Sequence, residues 1–469
     1  MMKISLFTVG MVVLGLAAGR VPAQGADVAD MPLATAAAQD NGGPQTETNF
    51  AGDTPAQGAP PATTAPAKAE QASETAAPVA QPADANPDPA KPWKLPEADA
   101  LKQLRIQQYG WLEQGATFNS LSPTNRWNGP VVCNDRSNEY EMNQLWVGWE
   151  RAVKTDGCGW DIGGRIDLMY GSDWRYGLCN GLETNLDAPN HLYGFVMPQF
   201  YLEVGCNDLT VRFGHFAPSI GYEVVAASGN FFYSHSYALA YSEPVLVTGF
   251  QGDYKVNKSW NLIAGLNEGF NQFQDEDGKF HFLGGVKWHN DEKKVSVSLM
   301  TDIGPQVNSL DPLGENNQYE LTLVFKKQFS EKLLYAFEQT FGVTEENSDP
   351  ALFGPTAKWY GLDQYLFYTI NPCWSAGARA EFFRDQEGTR VGGLGSVGIE
   401  GWPAAPGFAG TFTEVTLGLN WHPNPNIVVR PEARWDCYSG STNLQGQLPF
   451  GDGTRSSQFL FATDVVFSF

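Results

Sequence analysis

From Tyr109 to the end of the chain, apolar and polar residues alternate in short runs broken by glycine, asparagine, aspartate and serine. A period of two places neighbouring side chains on opposite faces of an extended strand. The last run, Ser457 to Phe469, is the clearest. Phe459, Phe461, Thr463, Val465, Phe467 and Phe469 share one face; Leu460, Ala462, Asp464, Val466 and Ser468 share the other. Taken in order, the runs predict sixteen strands, at 110–118, 141–152, 160–170, 197–205, 208–216, 246–256, 260–270, 280–289, 293–303, 317–328, 332–342, 359–370, 374–384, 411–421, 427–437 and 457–469. No later segment approaches the roughly 20 uninterrupted apolar residues of a spanning helix, so any membrane crossing must be made by strands.

The connections sort by parity. After each odd strand comes a long stretch, at 119–140, 171–196, 217–245, 271–279, 304–316, 343–358, 385–410 and 438–456. After even strands come tight turns such as Cys206-Asn207, Asn257-Lys258-Ser259, Asn290-Asp291-Glu292 and Phe329-Ser330-Glu331. Long loops at one end and short turns at the other are the pattern of a transmembrane antiparallel up-and-down β-barrel. The faces agree. Trp160, Ile162, Gly164, Ile166, Leu168 and Tyr170 oppose Asp161, Arg165 and Asp167; Val415, Leu417, Leu419 and Trp421 oppose Glu414, Thr416 and Asn420; Ile427, Val429, Pro431, Ala433 and Trp435 oppose Arg430, Glu432, Arg434 and Asp436. Alternation alone does not say which face is inside. A ring of sixteen strands does, because wall side chains cannot fill so wide an interior, and the charged row then faces enclosed water. The first and twelfth runs alternate poorly and take no facing. Trp160, Trp260 and Trp374 follow short turns, Trp149, Trp288 and Trp421 precede them, and all six share the apolar parity, as for a ring at one lipid interface.

Composition supports strands over helices: 13% aromatic residues, 50 glycines and only 17% charged residues. The net charge of −22 argues against nucleic-acid binding. Residues 1–23 read as a signal peptide, with Lys3, an apolar Leu6–Ala18 and small residues at Val21-Pro22-Ala23. Residues 24–96 read as a disordered Ala/Pro-rich linker, since 24–90 holds ten prolines and one aromatic, Phe50. The barrel domain is then 97–469, with a short helix expected within 96–108.

Six cysteines in an exported chain invite disulfides. Cys158, Cys206 and Cys373 fall at short-turn ends and Cys133, Cys179 and Cys437 on the long-loop side. A bridge needs Cα atoms within about 7 Å, so pairing across the wall is ruled out. Cys158–Cys206 and Cys133–Cys179 are the candidate pairs. No Cys-x-x-Cys or His-Glu-x-x-His occurs, and no metal or cofactor is expected. The Gly393–Gly398 match to G-x-G-x-x-G lies in a long connection without a following helix. No nucleophile–base pair stands out. The connection 217–245 does: it carries Tyr222, Phe231, Phe232, Tyr233, Tyr237 and Tyr241, and only Glu223 and Glu243 are charged. So apolar a loop is expected to pack, folding inward to bring Glu223, His235 and Glu243 to a constriction, or packing on neighbouring loops or another subunit.

The opening Tyr109-Gly110-Trp111-Leu112-Glu113, the stretch Val211 to Glu223 (VRFGHFAPSIGYE) and the terminal Phe469 give the chain a resemblance. Over residues 105–469 it resembles outer-membrane β-barrel porins, in particular the OmpL-like porin family of planctomycete-type Gram-negative bacteria. The resemblance implies passive diffusion of small hydrophilic solutes, a third loop acting as constriction, and a homotrimer. It also implies contact with outer-membrane lipid, and barrel-assembly machinery reading Phe469. The candidate pore-lining residues are Arg165, Asp167, Glu203, Arg212, Asp253, Lys287, Glu320, Arg379, Glu381, Glu414, Arg430, Glu432 and Arg434. The acidic balance suggests mild cation preference. Two other classes remain to be separated from this one: a soluble secreted β-protein binding glycans through its tryptophans, and a barrel-embedded hydrolase.

Overall fold

The computed structural model describes residues 92–96, 98–155, 157–183, 192–274, 278–308, 311–345, 356–392 and 407–469. The signal region, most of the linker, His191 and the Gly393–Gly398 motif lie outside the described residues. A short helix, α1 (Asp99–Gln103), precedes β1 (Gln107–Asn119), β2 (Tyr140–Arg151), β3 (Trp160–Gly171), β4 (Gly194–Cys206) and β5 (Leu209–Phe216). A second helix, α2 (Tyr237–Tyr241), interrupts the connection to β6 (Val247–Lys255). There follow β7 (Trp260–Asn267), β8 (His281–His289), β9 (Val295–Asn308), β10 (Asp311–Ser330) and β11 (Leu333–Glu345). The chain ends with β12 (Thr356–Asn371), β13 (Trp374–Asp385), β14 (Gly410–Asn424), β15 (Ile427–Gly440) and β16 (Ser457–Ser468).

Each strand pairs with its sequence neighbours, and β1 pairs with β16, closing a sixteen-strand barrel. The pairs are antiparallel, so every strand has partners on both sides and no edge is left open. Closure reaches the last residue: the Phe469 amide donates to the Gly110 carbonyl at 2.9 Å, and the Gly110 amide to the Phe469 carbonyl at 3.0 Å.

The two faces of the wall are inverted relative to a soluble barrel. Trp160 is 76% exposed and Ile162 61%, and Leu417, Trp435, Phe459 and Phe461 on the same row of their strands are exposed too. Asp167, Arg379, Glu414, Arg434 and Asp464, on the opposite row, are buried. An apolar outer row is what hydrocarbon requires and water penalises. The six tryptophans keep this parity: Trp160, Trp260, Trp374 and Trp421 are exposed, Trp149 and Trp288 half-buried. Two of the pairs meet across strands, Trp260–Trp288 at 6.3 Å and Trp374–Trp421 stacked at 5.8 Å.

Where alternation was weak in sequence, it is regular in space. Along β12, Trp359, Asp363, Tyr365 and Phe367 are buried while Tyr360, Leu362, Leu366 and Tyr368 are exposed. Both rows are apolar because the inner one packs on other chain segments. In β1, Trp111 is buried against Trp146, stacked at 4.7 Å.

Three expectations are corrected. The connection 304–316 is mostly strand, since β9 runs to Asn308 and β10 begins at Asp311, with a register shift between Asp311 and Glu315 taking up Pro312. All six cysteines are free, so neither Cys133–Cys179 nor Cys158–Cys206 is bridged. Cys133 is buried in an apolar cluster with Trp127, Val132 and Tyr241, and the buried Cys179 sulfur lies 3.7 Å from His215. Residues 92–96, assigned to the linker, include a docked Trp93: its amide donates to Asn426 and its carbonyl accepts from it, both at 2.7 Å, and its ring stacks on Phe467 at 5.9 Å.

The inverted faces make a direct test. Leu417→Arg, on the exposed row of β14, is expected to destabilise the folded barrel by about 2–4 kcal/mol in denaturant titrations of protein refolded into vesicles. A neutral effect, normal for an exposed leucine in water, would contradict a lipid-facing row.

Candidate functional site

The connection 217–245 between β5 and β6 has little regular structure, so its backbone polar groups need partners elsewhere. They find them on the charged row of distant strands. Glu432 of β15 accepts the amides of Tyr233 at 2.9 Å and Ser234 at 3.1 Å. Glu381 of β13 accepts those of Tyr237 and Ala238, both at 2.8 Å. These last two belong to the first turn of α2, where amides have no partner within the helix; Ser236 caps the next, accepting from Leu239 at 3.1 Å. Guanidinium groups take the carbonyls. Arg379 donates to Ser234 O at 2.7 Å, Arg434 to His235 O at 2.6 Å, and Arg430 to Ala227 O and Asn230 O at 2.9 Å each. In the ring β13 stands eight strands from β5, on the opposite side.

The segment's own charges are drawn in as well. Glu223 accepts from Arg379 at 2.8 Å, from Tyr365 at 3.2 Å and from the Ser236 amide at 2.9 Å, with His235 Nδ1 3.2 Å away. Burial alone would raise the Glu223 carboxyl, but Arg379 and the His235 contact outweigh it and hold its pKa at about 2. Arg379 also donates to Glu414 at 2.5 Å, and Arg430 bridges Glu113 at 2.8 Å and Asp464 at 3.0 Å. At the other end Ser242 bonds Thr340 and, at 2.9 Å, the Trp359 indole, while Glu243 lies under Thr322 at 3.5 Å. Burial and the charges of Glu320, Asp363 and Glu223 push the Glu243 carboxyl up to about 8. Gly221 lies beneath it at φ +82°, where a Cβ would strike the Glu243 carboxylate. The rings complete the contact: Phe231 packs on Phe367 at 4.8 Å, Tyr222 on Tyr365 at 4.5 Å and Tyr237 on Phe412 at 5.0 Å.

Of the thirteen charged residues singled out by parity, Glu320, Arg379, Glu381, Arg430, Glu432 and Arg434 bond this segment directly, and Glu414 does so through Arg379. The other six stand apart on β3–β8. Asp167 collects Tyr109 at 2.5 Å, Arg165 at 2.8 Å and Gln199 at 2.9 Å. Arg212 reaches Glu203 at 3.2 Å and lies over the Tyr201 ring, and Asp253 accepts from Asn261 at 2.8 Å. Only Arg165, Asp253 and Lys287 among the thirteen keep appreciable exposure; the rest are buried by chain rather than bathed in water. Glu338 and Asp363 belong to the same row and were missed, Asp363 because the twelfth run takes no facing from its sequence; Asp436, already on the charged row of the fifteenth run, joins them.

One thiol–imidazole contact, Cys179–His215, exists on the loop side. Burial pushes the Cys179 thiol well up, the reverse of nucleophile activation.

A closed barrel with an apolar outer row and a charged inner one is an outer-membrane barrel, not a soluble glycan-binding protein. Residues 105–469 match the family described as "Putative beta-barrel porin-2, OmpL-like". The chain belongs to that family, and it is an outer-membrane porin, a channel for passive diffusion. The outer membrane channel DcaP of Acinetobacter baumannii is similar in structure over 78% of this chain and 97% of its own, with a TM-score of 0.51 and 11% identity. An anion-selective porin from Comamonas acidovorans is similar over 78% of this chain and 99% of its own, with a TM-score of 0.52 and 11% identity. At such identity the likeness is one of fold. No curated protein matches the chain.

Arg379 is the hub of the contact. Arg379→Met is expected to cost about 3–5 kcal/mol of stability in denaturant titrations, because Glu223 and Glu414 are left as buried, uncompensated charges. A loss below about 1 kcal/mol would mean that the pair is solvated like a surface ion pair.

Proposed function

We propose that residues 217–245 fold into the barrel and form the constriction of the diffusion path, with Glu223, His235 and Glu243 on the constricting element. The observation that carries this is the set of hydrogen bonds from the segment to Glu381 and Arg379 on β13, the strand opposite its point of departure. The wall it covers, β10–β15, is then closed to solutes. Water and small hydrophilic solutes pass along the side left free, where Arg165, Asp253, Asn261, Lys287 and Ser298 are partly exposed. No bond is made or broken; diameter and lining charge set what passes.

The residues before the barrel complete the proposal: 1–23 a signal peptide, most of 24–96 a tether, Phe469 the end read by assembly machinery, and the working unit a homotrimer in outer-membrane lipid. Crosslinking in native membranes, giving a band at three times the monomer mass, tests the last of these.

Two outcomes in planar bilayers test the reading. Removing residues 222–243 is expected to raise single-channel conductance by about twofold or more, as a narrowed path is widened; unchanged conductance would remove the segment from the path. Carboxylates outnumber cations around 217–245 and β10–β12, so reversal potentials under a salt gradient are expected to show mild cation preference, and clear anion selectivity would refute it.

A further inference from the structure

On β2–β4, at the short-turn end, the outer row of the wall carries a gap and a cation side by side. Register sets Trp149 opposite Ile166, Arg151 opposite Gly164, Gly164 opposite Leu202, and Ile162 opposite Val204. Gly164 takes an outward position in a row whose neighbours, Trp160, Ile162 and Ile166, are bulky and exposed. A Cβ there would come within 2.7 Å of the Tyr201 carbonyl oxygen, so the position stays bare unless the backbone moves. The bare strip is the floor of a groove of about 750 Å³, walled by Trp149, Ile162, Ile166, Leu202 and Val204. That size lies in the range of ligand sites, roughly 300–1,000 Å³.

Arg151 also lines the groove. It follows Leu145, Val147 and Trp149 on the outward row of β2, a charge where the row otherwise meets hydrocarbon. Its long side chain carries the guanidinium to the rim, where Nη2 donates to Asp161 at 2.8 Å and Nε to the Leu104 carbonyl at 3.2 Å. Arg105 donates to both oxygens of the same carboxylate, at 2.8 and 2.7 Å, and the Lys154 amide donates to it at 2.8 Å. Two guanidinium groups therefore share one carboxylate, and one positive charge is left over. The Asp161 side chain is only 11% exposed, whereas those of Arg105 and Arg151 keep 48% and 30%. A ligand thus reaches the cationic side of the cluster. Trp160, next to Asp161, belongs to the tryptophan ring that marks the lipid interface, and the groove extends from there along β3 to Ile166.

We propose that this groove is a binding site for one anionic phospholipid, its phosphate on Arg105 and Arg151 and an acyl chain lying over Gly164. Each half of the site selects a different part of the molecule. Guanidinium groups bind phosphate oxygens through paired hydrogen bonds, and the excess charge favours a head group with net negative charge. The strip over Gly164 offers only apolar walls, which an acyl chain covers and water does not. A soluble anion would use the arginines and gain nothing from the groove. An uncharged lipid would fill the groove and leave the excess charge unmet. Because the short turns of such barrels face the periplasm, the lipid belongs to the periplasmic leaflet. The site lies on the outer wall and does not depend on where residues 217–245 sit.

Native mass spectrometry of the full refolded chain in non-ionic micelles, titrated with phosphatidylglycerol, tests this. One tightly held lipid per chain is expected, with zwitterionic phosphatidylcholine weaker by about fivefold or more, the effect of one basic residue at an anionic surface. Arg151→Gln should weaken phosphatidylglycerol by a similar factor and bring it level with phosphatidylcholine. Arg384→Gln, which removes an outward guanidinium at the long-loop end of β13, should change nothing. Glycerophosphoglycerol, the head group without its chains, should not displace the lipid. Heat-modifiable migration confirms an intact barrel in each variant. Equal binding of the two lipids, a titration that Arg151→Gln does not shift, or displacement by the bare head group would overturn the proposal. So would lipid on the monomer but none on an assembled oligomer, which would assign the groove to a second copy of the chain.

Discussion

An irregular segment can be buried only if every amide and carbonyl it carries finds a partner, and this requirement shapes the barrel around residues 217–245. The segment brings few charges and many rings. The wall supplies what it lacks: carboxylates of β13 and β15 for its amides, and guanidinium groups of Arg379, Arg430 and Arg434 for its carbonyls. Each wall charge serves twice, since Arg379 joins Ser234 and Glu223 to Glu414, and Arg430 joins Ala227 and Asn230 to Glu113 and Asp464. In a low-dielectric interior such bonds are strong when complete and costly when broken.

Closure of the ring makes that arrangement possible. Backbone pairing uses up the hydrogen-bonding capacity of the strands themselves, down to the Gly110–Phe469 exchange, and leaves the side chains of each row free for one task. The outer row meets lipid with leucine, phenylalanine and interfacial tryptophan. The inner row mixes polar and charged residues with buried apolar clusters, such as Tyr201, Phe216, Ile263, Leu283 and Met300 on β4–β9, and at Trp359, Tyr365 and Phe367 of β12 it meets rings of the 217–245 segment or of the loops that pack with it.

Charge is distributed unevenly around the inner wall. Guanidinium groups concentrate on β13–β15, while β10–β12 carry the buried carboxylates Glu320, Glu338 and Asp363. The segment spans both regions. Its Glu223 end lies in a strongly cationic environment and its Glu243 end in an acidic one, so two glutamates twenty residues apart are driven in opposite directions, to about 2 and about 8. The same chemical group does two different jobs because of what surrounds it.

Period-two patterning and loop parity were enough to place sixteen strands, to assign Trp160, Leu417 and Phe459 to the lipid side, and to put Arg379 and Glu432 on the other. Those features are local and repeat along the chain, and a strand wet on one side and greasy on the other can be read residue by residue. The sequence also marked 217–245 as too apolar for open water. It could not say which charges the segment would meet, because Glu381 and Tyr237 are 144 residues apart and are joined only when the ring closes. Nor could it show that most inner charges are covered, or that Glu338, Asp363 and Glu381 stand in one line, since strand register is a property of paired strands. It suggested two disulfides where the fold keeps free thiols, and a long loop at 304–316 where β9 and β10 continue as strands. Alternation along the chain is decided by each strand and its solvent; neighbours across the barrel are decided only by tertiary structure.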